Sequence, residues 1–90
     1  MAPLYTVRID ARAQKDLQTF SMETRYRVVA KIESLGANPR PPGIKKLKGE
    51  DNLYRLRVGS YRILYTIRDK ELLVLVVRIG DRRDVYKKGK

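Results

Sequence analysis

Three arginines crowd a short stretch of this chain, and their spacing is the first feature that could do chemistry. Arg55 and Arg57 alternate along Leu53-Tyr54-Arg55-Leu56-Arg57-Val58, and Arg62 follows the dipeptide Gly59-Ser60. A two-residue turn with glycine first, set between two alternating apolar runs, is the type II′ hairpin signature. That turn predicts Val58 opposite Tyr61, Arg57 opposite Arg62, Leu56 opposite Ile63, Arg55 opposite Leu64 and Tyr54 opposite Tyr65. Side chains alternate between the faces of a sheet. Tyr54, Leu56, Val58, Tyr61, Ile63, Tyr65 and Ile67 therefore share a core face, and Arg55, Arg57 and Arg62 share the other. Like charges directly opposite one another destabilise a sheet. A solvated face accounts for one arginine, whereas three that converge point to an anion site, because guanidinium groups take phosphate oxygens in bidentate fashion.

The chain after the last strand adds to this face. Gly80-Asp81 breaks the strand, Arg82-Arg83 follow, and Tyr86 lies a few residues on. Tyr86 either covers an edge of the core or serves beside the arginines as a base-stacking platform or an acid/base group. Lys45, Lys46 and Lys48 form a second basic cluster, either a solvated loop or a further contact to phosphates.

Composition agrees with an anionic partner. The 90 residues carry 21 Lys+Arg against 10 Asp+Glu, a net charge of +11, and fifteen of those basic side chains lie after residue 36. Phosphate contacts release counterions and gain affinity, so a polyanion is the natural partner. Cysteine and histidine are both absent. That removes thiolate metal sites and disulfides, together with the commonest general base and metal ligand. Neither a metal nor a cofactor is expected. The opening Met1-Ala2-Pro3-Leu4-Tyr5 is too short and too polar downstream for a signal peptide. The longest apolar run, Leu72 to Val77, is too short to span a bilayer. The expectation is a soluble cytoplasmic protein with no membrane partner, folded as one domain over residues 1–90.

The elements that must position these residues read as α+β. Tyr5, Val7 and Ile9 alternate on an N-terminal strand. Asp10 caps a helix with Ala13, Leu17 and Phe20 on one stripe, and Ser21 caps a second with Val28, Val29, Ile32 and Leu35. Gly36 stands where a left-handed cap belongs. The two segments form a helical hairpin with Arg12, Lys15, Arg25, Arg27 and Lys31 on its wet side. Asn38 to Asn52, rich in Pro and Gly, reads as a long loop. Then come the hairpin, a turn at Asp69-Lys70, and Glu71 to Ile79. That last run is apolar on both faces, as expected of a central strand covered on two sides. The result is one small sheet: an N-terminal strand followed, after the helical hairpin, by an antiparallel three-strand meander.

Lys46-Leu47-Lys48-Gly49, the hairpin Leu53-Tyr54-Arg55-Leu56-Arg57-Val58-Gly59-Ser60-Tyr61-Arg62-Ile63-Leu64-Tyr65 and the tail Gly80-Asp81-Arg82-Arg83-Asp84-Val85-Tyr86 resemble RelE-type toxins of the RelE/ParE superfamily. The order of elements is similar too, and the resemblance covers almost the whole chain. It implies a compact microbial-ribonuclease-like fold and the toxin half of a bacterial or archaeal toxin–antitoxin pair. RelE members cut messenger RNA in the ribosomal A site. By the same resemblance, Arg55 and Arg57 match the basic pair before the hairpin turn, Arg62 the arginine after it, Arg82 the tail arginine and Tyr86 the tail tyrosine.

Well-studied relatives have lysines at the positions of Arg55 and Arg57. A lysine of lowered pKa can act as a base, whereas arginine stays protonated, so these two can stabilise charge but not readily take a proton. The expected reaction is attack of a 2′-hydroxyl on the adjacent phosphorus with loss of the 5′-oxygen. Arg62 and Arg82 stabilise the developing charge, and Arg55 and Arg57 orient the phosphate. Tyr86 stacks on a base or exchanges a proton, with Lys45, Lys46, Lys48 and Arg83 as further RNA contacts. The expected partners are a cognate antitoxin, acidic near its contacts, and the ribosome with its message. ParE-type members share this fold but poison DNA gyrase, which is the alternative. A basic RNA-binding module without chemistry is a third reading.

Overall fold

The computed structural model describes residues 4–47, 49 and 52–81. The chain runs through β1 (Thr6–Ile9), α1 (Ala11–Gln18), α2 (Met22–Ser34), β2 (Lys45–Lys46), β3 (Leu53–Val58), β4 (Tyr61–Arg68) and β5 (Leu73–Asp81). The five strands form one sheet in the order β1-β5-β4-β3-β2. Only β1 is parallel to its neighbour, β5, and the other three pairings are antiparallel. The expected α+β architecture is present. Its sheet has one strand more than expected, because the basic segment read as loop contributes β2, which pairs Lys45 with Arg55 and Lys46 with Tyr54.

Both helix starts are set by short polar side chains. Asp10 Oδ1 accepts from the Ala11 amide at 2.6 Å, and Ser21 Oγ accepts from the Thr24 amide at 3.2 Å. Each satisfies an amide that has no partner within its helix. Ala13, Leu17, Val28, Ile32 and Leu35 then pack on Leu56, Ile63, Tyr65, Ile67, Val74, Val76 and Ile79, all buried in one apolar core between the helices and one face of the sheet.

Gly36 does not end α2 in the left-handed conformation. Positive φ among the described glycines occurs at Gly43, Gly49 and Gly59. The helix closes through a tightened last turn, with the Gly36 amide donating to Glu33 and the Ala37 amide to Ser34. The Gly36 carbonyl instead accepts from the Leu4 and Tyr5 amides at 3.1 and 2.9 Å and steers the chain into β1. Arg25 is also not on the wet side of the hairpin. It is half-buried, and its guanidinium donates to the Leu17 and Phe20 carbonyls at 3.2 and 3.3 Å, tying α2 to the end of α1.

The last strand begins at Leu73, not Glu71, since Asp69–Glu71 form a 3-10 turn closed by Leu72 at φ 50°. It is not covered equally on both faces. Val74, Val76 and Ile79 are buried, whereas Leu73, Leu75 and Val77 are half-exposed. Strict alternation from Val74 and Val76 would drive Arg78 into the core. A bulge intervenes: Tyr65 pairs with Val76 but Leu64 pairs with Arg78, leaving Val77 as the extra residue. The phase switches there, as a bulge requires, so that Ile79 enters the core and Arg78 turns outward. Beyond the end of β1, Asp16 takes over the edge of β5. Its carboxylate accepts from the Ile79 amide at 2.8 Å and from Arg78 Nε at 2.9 Å.

Candidate functional site

The hairpin adopts the register that the Gly59-Ser60 turn predicts. Arg57 faces Arg62, Arg55 faces Leu64 and Tyr54 faces Tyr65. Gly59 has φ 59° while Ser60 is not among the positive-φ residues, the combination a type II′ turn needs. Tyr54, Leu56, Val58, Ile63, Tyr65 and Ile67 are buried in the core, and Tyr61 is half-buried with its ring 4.7 Å from that of Phe20.

Arg55, Arg57 and Arg62 lie on the opposite face. They are not equivalent. Arg57 is exposed, Arg55 half-buried, and Arg62 only 6% exposed. Arg55 and Arg62 are each engaged with other groups of the chain, and Arg57 is the one of the three that is open to solvent. Leu64 sits among them by register, buried yet outside the core cluster, as an apolar floor beside the arginines. β2 adds a fourth cation: Lys45, opposite Arg55, shares the arginine face, whereas Lys46, opposite Tyr54, points the other way. The two lysines are therefore separated by the sheet. Lys48, Arg82, Arg83 and Tyr86 lie outside the described residues.

The loop between α2 and β2 is held from both sides. Arg40 makes a two-pronged pair with Asp69 at 3.2 and 2.9 Å, and Asp69 also accepts from the Tyr5 hydroxyl at 2.6 Å. Hydrogen bonding by Arg40, then by Tyr5, lowers the Asp69 carboxyl to about 2. The same hydrogen bond to Asp69 raises the Tyr5 phenol. The Arg40 guanidinium stands 5.6 Å from the centre of the Tyr54 ring, within cation–π range. Next to it, Tyr65 donates to the Pro39 carbonyl at 2.8 Å, and burial pushes its phenol up to about 12.

So anchored, the loop walls a cleft of about 470 Å³ lined by Lys31, Pro42, Gly43, Arg55, Leu56 and Arg57. Lys31 is the side chain that the reading of the sequence did not place here. Its spacing of four from Arg27 marks only a shared helix face, and its approach to β3 is a tertiary contact without a local signal. Among the described residues, no group of three His, Cys, Asp or Glu could hold a metal ion. No helix among them is long and apolar enough to cross a membrane. In chemical terms the face can bind and orient a phosphodiester and stabilise negative charge on it.

The chain is similar to known proteins over most of its length. A family model described as the ParE toxin of the type II toxin–antitoxin system parDE matches residues 7–86. The RelE1 protein of Methanocaldococcus jannaschii is 33% identical over 92% of this chain and 96% of its own length. The mRNA interferase toxin RelE of Escherichia coli K12 is 28% identical over 91% of this chain and 90% of its own. Among solved structures, a chain of the toxin–antitoxin complex RelBE2 from Mycobacterium tuberculosis superposes with a TM-score of 0.79 at 31% identity, covering 90% of this chain and 100% of that one.

Proposed function

The chain belongs to the RelE/ParE family of toxin–antitoxin toxins, and from that premise we propose that it is a metal-independent endoribonuclease that cuts messenger RNA in the ribosomal A site. The observation that carries this reading is the pairing of Arg57 with Arg62 on the face turned away from the core, with Arg55 and Lys45 beside them. Two arginines directly opposed oppose folding, and a phosphate between them turns that repulsion into binding. The name of the E. coli relative, an mRNA interferase, supports the same reaction.

In the proposed reaction the 2′-oxygen of one nucleotide forms a bond to the adjacent phosphorus and gives up its proton, the bond from phosphorus to the 5′-oxygen breaks, and the departing 5′-oxygen takes up a proton, so that no net proton is gained or lost. The products are a 2′,3′-cyclic phosphate and a 5′-hydroxyl. Negative charge gathers on the phosphoryl oxygens in the transition state. Arg62 is the group best placed to stabilise it, because it is buried and its position is set before substrate arrives. Arg55 and Arg57 orient the phosphate and Lys45 extends the grip. Arg82 and Tyr86 are assigned by family resemblance, Arg82 to charge stabilisation and Tyr86 to base stacking or proton exchange. Arginine does not give up its proton at neutral pH, so cleavage of free RNA is slow and the ribosome supplies orientation. The substrate places the protein in the cytoplasm, and its neutraliser is a cognate antitoxin, acidic where it meets this face.

The family model carries the ParE name, which favours a second reading, inhibition of DNA gyrase without chemistry. Purified protein added to a translating cell-free extract separates the two. Codon-phased breaks in the message are the expected result. Intact messages together with inhibited DNA supercoiling would transfer the assignment to gyrase.

A further inference from the structure

The cationic surface does not stop at the arginine face of the sheet. Among the described residues, β2 pairs with β3 at Tyr54 and Arg55, and no described strand lies along the edge of β3 beyond them. Two basic side chains of α2 approach it from the helix side. Lys31 lines the cleft with Arg55 and Arg57. Arg27, one helical turn earlier, brings its Nη1 to 3.8 Å from where a Cβ of Gly59 would stand, at the end of the same strand. Among the described residues, the lining of the cleft holds three cations and no carboxylate. Its far wall is the Pro42-Gly43 turn, where Gly43 has φ 94° and a Cβ would meet nothing within 4 Å, so the mouth is open.

We propose that Lys31 and Arg27 form a phosphate-binding track, separate from the reacting centre, that holds the RNA strand flanking the scissile phosphate as it passes over the edge of β3. Arg55 and Arg57 belong to both surfaces: they face Arg62's side of the sheet and line the cleft. A strand whose scissile phosphate sits at Arg62 therefore reaches Lys31 by crossing β3, over cations throughout. Lys31 and Arg27 recognise backbone charge and carry no base preference. The commitment to a polyanion rests on the lining of the cleft and on the net charge of +11, which disfavours a second copy of this chain as occupant. The inference rests on the ribonuclease reading for the identity of the strand.

The test uses the full chain and a short oligoribonucleotide with a 2′-deoxy nucleotide at the cleavage position, so that binding is read without cleavage. Lys31→Gln and Arg27→Gln are each expected to weaken binding about 3- to 10-fold and to reduce the slope of log K against log salt by about 0.7, the value of one single-strand phosphate contact. Lys15→Gln, an exposed cation on α1, serves as the control and should leave the slope unchanged. A methylphosphonate placed in turn at each flanking position then locates the contact. At one position, neutralising the phosphate should weaken the wild-type protein but not Lys31→Gln. On ribosomes programmed with a cleavable message, both variants should raise KM and leave kcat near that of the wild type. If every methylphosphonate weakens wild type and Lys31→Gln by the same factor, the track is wrong while the ribonuclease reading stands. A KM effect confined to the ribosome assay overturns it too, since the contact is then to ribosomal RNA. A wild-type protein that neither binds the oligonucleotide nor cuts the programmed message sinks the ribonuclease reading itself.

Discussion

Arg57 and Arg62 stand directly opposite each other, an arrangement of like charges that destabilises a sheet. Arg57→Thr puts a β-branched residue at home on a strand in that place, so it should raise the midpoint of urea unfolding and lower RNA cleavage. A lower midpoint would show that Arg57 serves the fold instead. Arg62 is the buried member of the pair. Arg62→Ala should lower the single-turnover cleavage rate by about 10²- to 10³-fold, the usual loss when one preorganised charge-stabilising donor is removed. Arg62→Lys, which keeps the charge but not the planar fork, should stay well below wild type. Arg55, Arg57 and Arg62 were legible in the sequence as a group on one face because a single turn type sets the parity of every residue in the hairpin. The difference in their burial was not, since it depends on what the rest of the chain lays against each one. Nor was the division between Lys45 and Lys46, which follows from a two-residue strand with no apolar pattern of its own.

At the level of elements, Asp16 on α1 holds the free edge of β5 through the Ile79 amide and Arg78. Asp16→Ala leaves both donors without this acceptor and should cost about 2 kcal/mol of stability, as expected for hydrogen bonds to a charged group, read from denaturant unfolding. The clasp of Tyr5, Asp69 and Arg40 should show itself in acid. The Asp69 carboxyl lies at about 2, below its ordinary value of 3.8, so its stabilisation is present above pH 4 and is lost as pH falls toward 2. Asp69→Asn should therefore be less stable than wild type at neutral pH, with the gap closing between pH 4 and 2. A constant gap would mean that the carboxylate charge is not what holds the loop. The helix caps at Asp10 and Ser21 were legible because capping is local chemistry. The bulge at Val77 was not. In an apolar run such as Leu72 to Val77, side-chain type does not mark where the phase switches, and only pairing with Leu64 and Tyr65 reveals it. Gly36 misled for a related reason: its carbonyl is recruited by Leu4 and Tyr5, from the far end of the helical hairpin, and the left-handed cap is not needed.

For the whole molecule, a net charge of +11 should make the proposed association with an acidic antitoxin or with RNA fall steeply with ionic strength. Antitoxin affinity measured from low to high salt should drop continuously, and a flat profile would assign that interface to apolar contacts instead. The helices and the core occupy one side of the sheet, and the arginines gather on the other, where Arg62 and Leu64 are buried and Arg57 is exposed. The central claim is that these cations direct a 2′-hydroxyl onto the neighbouring phosphate. Its most direct test is the chemistry of the ends left on a message cut in the A site of programmed ribosomes. The account predicts a 2′,3′-cyclic phosphate or its 3′-phosphate product on one fragment, a 5′-hydroxyl on the other, and loss of both in Arg62→Ala. A 3′-hydroxyl with a 5′-phosphate, or the same ends at an undiminished rate in Arg62→Ala, would contradict it.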